Sequence, residues 1–240
     1  MRVRVLILIL TLCTRFVQAN QIDSLLSAGI QQFEEGAYSE ALHSFQLSAS
    51  NALSENKLPA LCIAYNNIGN TYARLNDELN GLKYYRKALT LAETLKDYRR
   101  IANTTFNIGS LYSDHKKFDE AIPWYNEAYK LAEQIKDFRL AANCLNNSAV
   151  IYEQSDNLEK AVERYSQALS IYTSQSDTLN IAQTLTNIAI VSKKQGAFKQ
   201  SISYYKEALF LARTINDRYT EAAILNNLAN VYLETGNTSE

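Results

Sequence analysis

Only two prolines and seven glycines occur in 240 residues, too few for the many turns of a β-sandwich or for a glycine-rich nucleotide-binding loop. Two histidines and three cysteines leave little material for a metal cluster, a disulfide framework or acid–base catalysis. A formal charge of −1 gives no electrostatic footprint for nucleic acid. What the chain does have is apolar surface. Hydrophobic residues make up 47%, so a large core can be buried and wholesale disorder is excluded.

Residues 1–19 have the pattern of a secretory signal peptide. Arg2 and Arg4 precede the apolar run Val5 to Leu12, and Val17-Gln18-Ala19 supplies compact residues for cleavage before Asn20. Arg15 interrupts the run short of the roughly 18 apolar residues that a membrane span requires. Cleavage removes three arginines and no acid, leaving 21 basic and 25 acidic residues, a charge of −4. The mature chain is expected outside the cytoplasm, periplasmic or secreted, and without a membrane span. Cys62 and Cys144 then remain, two repeats apart in the pattern below. Stacked hairpins stand roughly 10 Å apart, so the pair exceeds the roughly 7 Å Cα limit for a bridge, and both are expected as buried thiols.

A period of forty residues organises the rest. One small column runs through Gly29, Gly69, Gly109, Ala149, Ala189 and Ala229, and a column three residues later holds Gln32, Tyr72, Tyr112, Tyr152, Ser192 and Tyr232. A second block places Ala41, Gly81, Ala121, Ala161 and Ser201 before the aromatic column Phe45, Tyr85, Tyr125, Tyr165 and Tyr205, with Ser48, Ala88, Ala128, Ala168 and Ala208 after it. Tyr65, Ile68, Gly69 and Tyr72 fall at i, i+3, i+4 and i+7, one face of a helix. Gly81, Tyr85 and Ala88 mark a second helix. Gly36, Asn76, Asp156, Gly196 and Gly236 between them tolerate left-handed backbone, and Lys116 takes that place in the third copy at some strain. Asp97, Asp137, Asp177 and Asp217 sit where they cap the next first helix, and Pro59 fits a first helical turn. Pro123 lies early in its helix, where an irregularity rather than a break is expected. Small residues on the first helix admit the rings of the second. One hairpin cannot cover both its faces, so copies stack.

These residues resemble the tetratricopeptide pattern: an aromatic, then Leu-Gly and Tyr, then Ala and Phe, seen here as Tyr65, Ile68-Gly69, Tyr72, Gly81, Tyr85 and Ala88. The resemblance covers residues 22–240, in repeats of about 22–61, 62–101, 102–141, 142–181, 182–221 and an incomplete 222–240. It implies an all-α, right-handed α-solenoid of antiparallel hairpins. The common repeat has about 34 residues, and the six extra are expected at the junction between copies. Longer repeats of this kind are similar to those of kinesin light chains, polarity adaptors and bacterial peptide-pheromone receptors. Joined to a signal segment, they resemble exported Bacteroidetes-type sensor and scaffold regions. Such membership implies protein or peptide binding, no catalysis and no cofactor.

Stepping about 100° per residue from the buried arc puts a second face opposite it, which in such a solenoid lines the concave groove. That face carries Asn67 and Asn70, Asn103 and Asn107, Asn143 and Asn147, Gln183 and Asn187, and Asn227 and Asn230. Asn67, Asn107, Asn147, Asn187 and Asn227 form an unbroken ladder, although Asn is a mediocre helix former. An amide offers donors and an acceptor, so the ladder either holds a peptide backbone or bonds the neighbouring repeat and fixes pitch. Both readings stay open at this point. His115 is expected to be solvated, His43 has no metal-ligand spacing, and Arg99-Arg100 and Lys193-Lys194 are isolated doublets. No catalytic or metal residue is expected. Glu240 falls one residue before the small column of the second helix, so Leu225, Leu228 and Tyr232 are expected to face solvent and the chain to be part of a longer protein. The function expected is an exported scaffold binding a protein or an extended peptide. The alternative is the sensory region of a membrane-linked histidine kinase or helix-turn-helix regulator.

Overall fold

The computed structural model describes residues 21–236. Among them are eleven helices and no strand: α1 (residues 21–34), α2 (Tyr38–Ser54), α3 (Leu58–Arg74), α4 (Glu78–Thr94), α5 (Tyr98–Asp114), α6 (Phe118–Gln134), α7 (Phe138–Gln154), α8 (Leu158–Ser174), α9 (Thr178–Lys194), α10 (Phe198–Thr214) and α11 (Arg218–Thr235). The fold is an all-α solenoid, and within residues 1–117 and within residues 118–240 consecutive helices pack against one another. Residues 1–19, read above as a signal peptide, lie outside the described residues.

The regularity is greater than the forty-residue period requires. Each helix from α2 to α10 has 17 residues, and each connection between successive helices has three. The middle residue of every connection is left-handed. This holds at Gly36, Asn76, Lys116, Asp156 and Gly196, as their residue types imply, and equally at Asn56, Lys96, Lys136, Ser176 and Asn216 between copies. The hydrogen bonds show why. Lys96 N–H reaches Glu93 O at 3.0 Å and Asp97 N–H reaches Ala92 O at 2.9 Å, the same pair that Asn76 and Asp77 make to Ala73 and Tyr72. These paired bonds satisfy the last carbonyls of each helix, and satisfying them outweighs the roughly 1–2 kcal/mol that a side chain costs in this conformation. The six additional residues, expected at the junction between copies, add no length to the turn there. They extend the helices on either side of a turn as short as the one inside each hairpin.

Helix starts follow the cap chemistry. The carboxylates of Asp97, Asp137 and Asp177 accept from Arg100, Leu140 and Asn180 N–H, and Asp217 accepts from Tyr219 and Thr220 N–H. Asp77 and Asn157 do the same for α4 and α8. Pro59 occupies the first turn of α3. Pro123 lies inside α6, which runs unbroken.

The chain divides into two compact units, residues 1–117 and 118–240. In the first, Ile22, Leu26, Ala41, Phe45, Leu61 and Ile68 form a core between α1, α2 and α3, and Cys62, Ala88 and Ala92 continue it under α4. In the second, Ala142, Leu145, Ala168 and Tyr172 pack between α7 and α8, Ala149, Tyr165, Ile188 and Val191 between α7, α8 and α9, and Leu185, Tyr205, Ile224 and Leu228 between α9, α10 and α11. This last cluster corrects the expectation for α11. Leu228 is only 7% exposed and Tyr232 packs against the same cluster, because Ile224, Leu228 and Val231 share the stripe that α10 covers. Leu225, about 100° round the helix, is the one of the three that stands exposed.

Candidate functional site

In the first unit α1, α3 and α5 are the first helices of their hairpins, and the amides of α3 and α5 meet. Asn107 Nδ2 donates to Asn66 Oδ1 at 3.1 Å and to Asn70 Oδ1 at 3.2 Å. Asn66 Oδ1 also accepts from Thr104 Oγ1 at 3.2 Å, and Asn70 Oδ1 from the Tyr85 hydroxyl at 2.8 Å. Counting capacity, both hydrogens of the Asn107 amide and the carbonyl oxygens of Asn66 and Asn70 are used. The NH2 groups of Asn66 and Asn70 and the carbonyl of Asn107 are left over. The internal bonds thus turn these amides so that two NH2 groups and one carbonyl remain for something else.

Two hollows flank this cluster. One of about 290 Å³ lies between α3 and α5, lined by Cys62, Ile63, Asn66, Arg100, Asn103, Thr104 and Asn107. The other, about 200 Å³, lies between α1 and α3 and is lined by Ile30, Phe33, Glu34, Phe45, Asn67 and Asn70. Four of the anticipated residues therefore line cavities, two on each. Asn103 is exposed and donates to its own helix at Arg99 O, 3.0 Å away. Sequence reasoning missed Asn66 and Thr104. Asn66 was visible as the first member of an Asn-Asn doublet repeated at Asn146-Asn147 and Asn226-Asn227, but its role depends on how closely α5 approaches α3.

The second unit uses the same positions differently. Asn147 Nδ2 donates to the Tyr125 hydroxyl at 3.3 Å, and Asn143 Oδ1 accepts from the Tyr172 hydroxyl at 2.7 Å. The places equivalent to Asn70 hold Val150 and Ile190, both packed on cores. Gln183 and Asn230 are exposed, and Asn187 and Asn227 half-buried. The Tyr165 hydroxyl donates to Glu153 Oε2 at 3.1 Å, while Lys194 Nζ holds Glu153 Oε1 at 2.8 Å. Burial, reinforced by the Glu153 charge, pushes the Tyr165 hydroxyl far up, and the same causes raise Tyr205 to about 12.

The remaining polar candidates are tied down locally. Arg100 pairs with Asp97, the cap of its own helix. Lys194 and Lys193 split between Glu153 and Glu234. His115 is less solvated than its place at a helix end implies: Nδ1 stands 3.9 Å from Glu78 Oε2, a carboxylate that Lys117 also holds at 2.5 Å. Both cysteines are free and buried. Burial raises the Cys62 thiol and takes Cys144 to about 12, which keeps both protonated and unreactive at neutral pH. No group of acidic, His or Cys side chains that could hold a metal occurs among the described residues, and no described helix is long and apolar enough to cross a membrane.

A tetratricopeptide repeat family model matches residues 60–134 and 180–240, and a second one matches residues 142–174. The chain belongs to the tetratricopeptide repeat family. Among curated proteins nothing matches it, but solved tetratricopeptide folds do. Aspartyl phosphate phosphatase F from Bacillus subtilis superposes with TM-score 0.81 at 16% identity, over 92% of this chain and 57% of that one. A signal transduction ATPase with a tetratricopeptide repeat sensor, from Pyrococcus horikoshii, gives 0.78 at 14% identity, over 87% and 32%. A Rap protein complexed with competence and sporulation factor gives 0.70 at 14%, over 91% and 64%. The chain thus spans about a third to two thirds of these structures, and at such identities they share its fold. Within the tetratricopeptide framework, the small column of α1, α3, α7 and α9 sets hairpin approach, and the amide ladder is what varies in use from one repeat to the next.

Proposed function

We propose that this tetratricopeptide chain is a non-catalytic scaffold that holds a protein or extended peptide on the face formed by its first helices. The observation that carries this reading is the amide cluster of Asn66, Asn70 and Asn107, whose mutual bonds leave two NH2 groups and a carbonyl over on residues that line two cavities. A peptide backbone alternates the complementary groups. The Rap protein solved with competence and sporulation factor supports the idea that such a solenoid holds a partner of this kind. Asn67, Asn187 and Asn227 are the rungs on which binding and architecture separate, since among the described residues their amides bond no neighbouring helix while those of Asn107 and Asn147 do. A triple Asn67/Asn187/Asn227→Ala variant is expected to keep its unfolding midpoint and lose captured partners in a pull-down from envelope extract. Unchanged capture would return the ladder to a purely architectural role.

Export belongs to the same proposal. Arg2, Arg4 and the apolar run before Ala19 support removal of residues 1–19 and residence in the periplasm or beyond. N-terminal sequencing of the mature protein is expected to begin at Asn20, and an intact Met1 on a cytosolic product would overturn it. A second reading, the sensory part of a signal-transduction protein, draws support from the tetratricopeptide sensor of the archaeal ATPase. A reading frame that continues past Glu240 into an output domain decides for it, and a stop codon there decides against it.

A further inference from the structure

We propose that the outward stripe of α4 is a second contact surface, one that takes an acidic polypeptide segment and lies apart from the first-helix face. Lys83, Arg86 and Lys87 fall within about 100° of one another on the helix and are all exposed. None makes an ion pair among the described residues. Of the helices packed against α4, α3 contains no acidic residue and α5 only Asp114, at its last position, and α4 itself has none between Glu78 and Glu93. Glu78 is already occupied by Lys117. Lys83 and Lys87, at i and i+4, repel each other, an arrangement that disfavours the helix.

Aromatic rings fix two of these cations in place. Lys87 Nζ lies 5.2 Å from the Tyr65 ring centroid and 5.0 Å from that of Tyr84, and Lys83 Nζ lies 5.9 Å from Tyr84. A ring contacts one side of an ammonium and leaves its other donors for an anion, so the cations are pre-placed without being neutralised. The repeat itself supplies the comparison that separates scaffold from special purpose. Where α4 has Lys83, Arg86 and Lys87, α8 has Glu163, Ser166 and Gln167, and α6 has Pro123, Asn126 and Glu127. Where α3 has Tyr65, the other copies have Leu or Thr. Building the hairpin requires none of this chemistry. In a chain whose mature balance is acidic, a stripe of three uncompensated cations is complementary to acidic side chains.

The test uses the whole chain and a fluorescently labelled oligoglutamate peptide followed by anisotropy. A Lys83→Glu/Arg86→Glu/Lys87→Glu variant is expected to lose about ten-fold in affinity, and raised salt to weaken binding by the wild-type chain. A Lys130→Glu/Lys199→Glu/Arg218→Glu variant makes the same change in net charge elsewhere and is expected to bind as the wild type does. Equal losses in the two variants, or none in the first, would reduce the stripe to bulk electrostatics. Displacement of the peptide by phosphatidylglycerol vesicles or an oligonucleotide, at lower concentration than by unlabelled oligoglutamate, would also overturn the assignment to a polypeptide. The Asn67/Asn187/Asn227→Ala variant is expected to bind oligoglutamate normally, so failure of one surface is distinguishable from failure of the other.

Discussion

The two units put the same tyrosine column against different small residues. In the first, a Cβ placed on Gly69 would stand 2.5 Å from the Tyr85 ring, and one on Gly29 would stand 2.6 Å from Phe45. In the second, Ala149 and Ala189 carry that Cβ and are still fully buried, as are Tyr165 and Tyr205. The hydroxyl partners differ as well. Over Gly69 the Tyr85 hydroxyl reaches Asn70, the next residue, whereas beside Ala149 the Tyr165 hydroxyl reaches Glu153, a full turn along. The partner residues decide the difference: Asn70 gives way to Val150, which has no acceptor, and Ala73 to Glu153, which has one, so one tyrosine orients an amide cluster and the other supports an ion pair.

Removing the ring is expected to have the largest effect on this contrast. Tyr85→Ala and Tyr165→Ala should each cost about 3–5 kcal/mol in denaturant unfolding, as large aromatic truncations do, since both are almost fully buried. Gly69→Ala imports the second unit's methyl into the first. Overpacking of about 1–3 kcal/mol opposes a gain of about 1 kcal/mol in helix propensity. The net expectation is a lower midpoint, and a raised midpoint would show that the Tyr85 ring yields freely. The reciprocal Ala149→Gly should cost about 1 kcal/mol through propensity alone.

A smaller difference is expected between two rungs of the ladder. Asn107→Ala removes two inter-helix bonds and should destabilise by about 1 kcal/mol, while Asn187→Ala should be neutral or slightly stabilising. The smallest effect concerns the caps. Hydrogen bonds from Asn80 to Asp77 and from Thr220 to Asp217 hold both carboxyls below the ordinary range. A depressed folded value means stability that is present above the unfolded carboxylate range and lost as pH falls through the folded one. Asp77→Asn and Asp217→Asn should therefore flatten the acid limb of an unfolding curve. Substitutions at Ala37 and Ala197, which cap without a side-chain bond, should leave that limb unchanged.

The columns, the helix pairing and the aspartate caps were legible in the sequence because each depends on residues within one turn of helix. The left-handed residues inside the hairpins were legible for the same reason. Lys96, Lys136 and Ser176 were not, since paired backbone bonds impose that conformation on side chains that do not favour it. The amide columns were readable as columns. Which rungs bond across helices was not: Asn107 meets Asn66 and Asn70 only because α3 and α5 approach closely, and Val150 and Ile190 remove the corresponding partner later in the chain. The burial of Leu228 likewise depended on which stripe of α11 meets α10.

Identical three-residue connections also have a consequence for how such a gene can change. Recombination between any two copies at matching columns adds or deletes whole forties of residues and rejoins the strand with a turn that already exists, so array length can vary without inventing a linker. A crossover offset by half a period is the forbidden product. Its backbone would close just as well, but it would put the large side chains of the Leu89, Tyr129, Leu169 and Leu209 column where the small column belongs, and selection would see it as a misfolded chain.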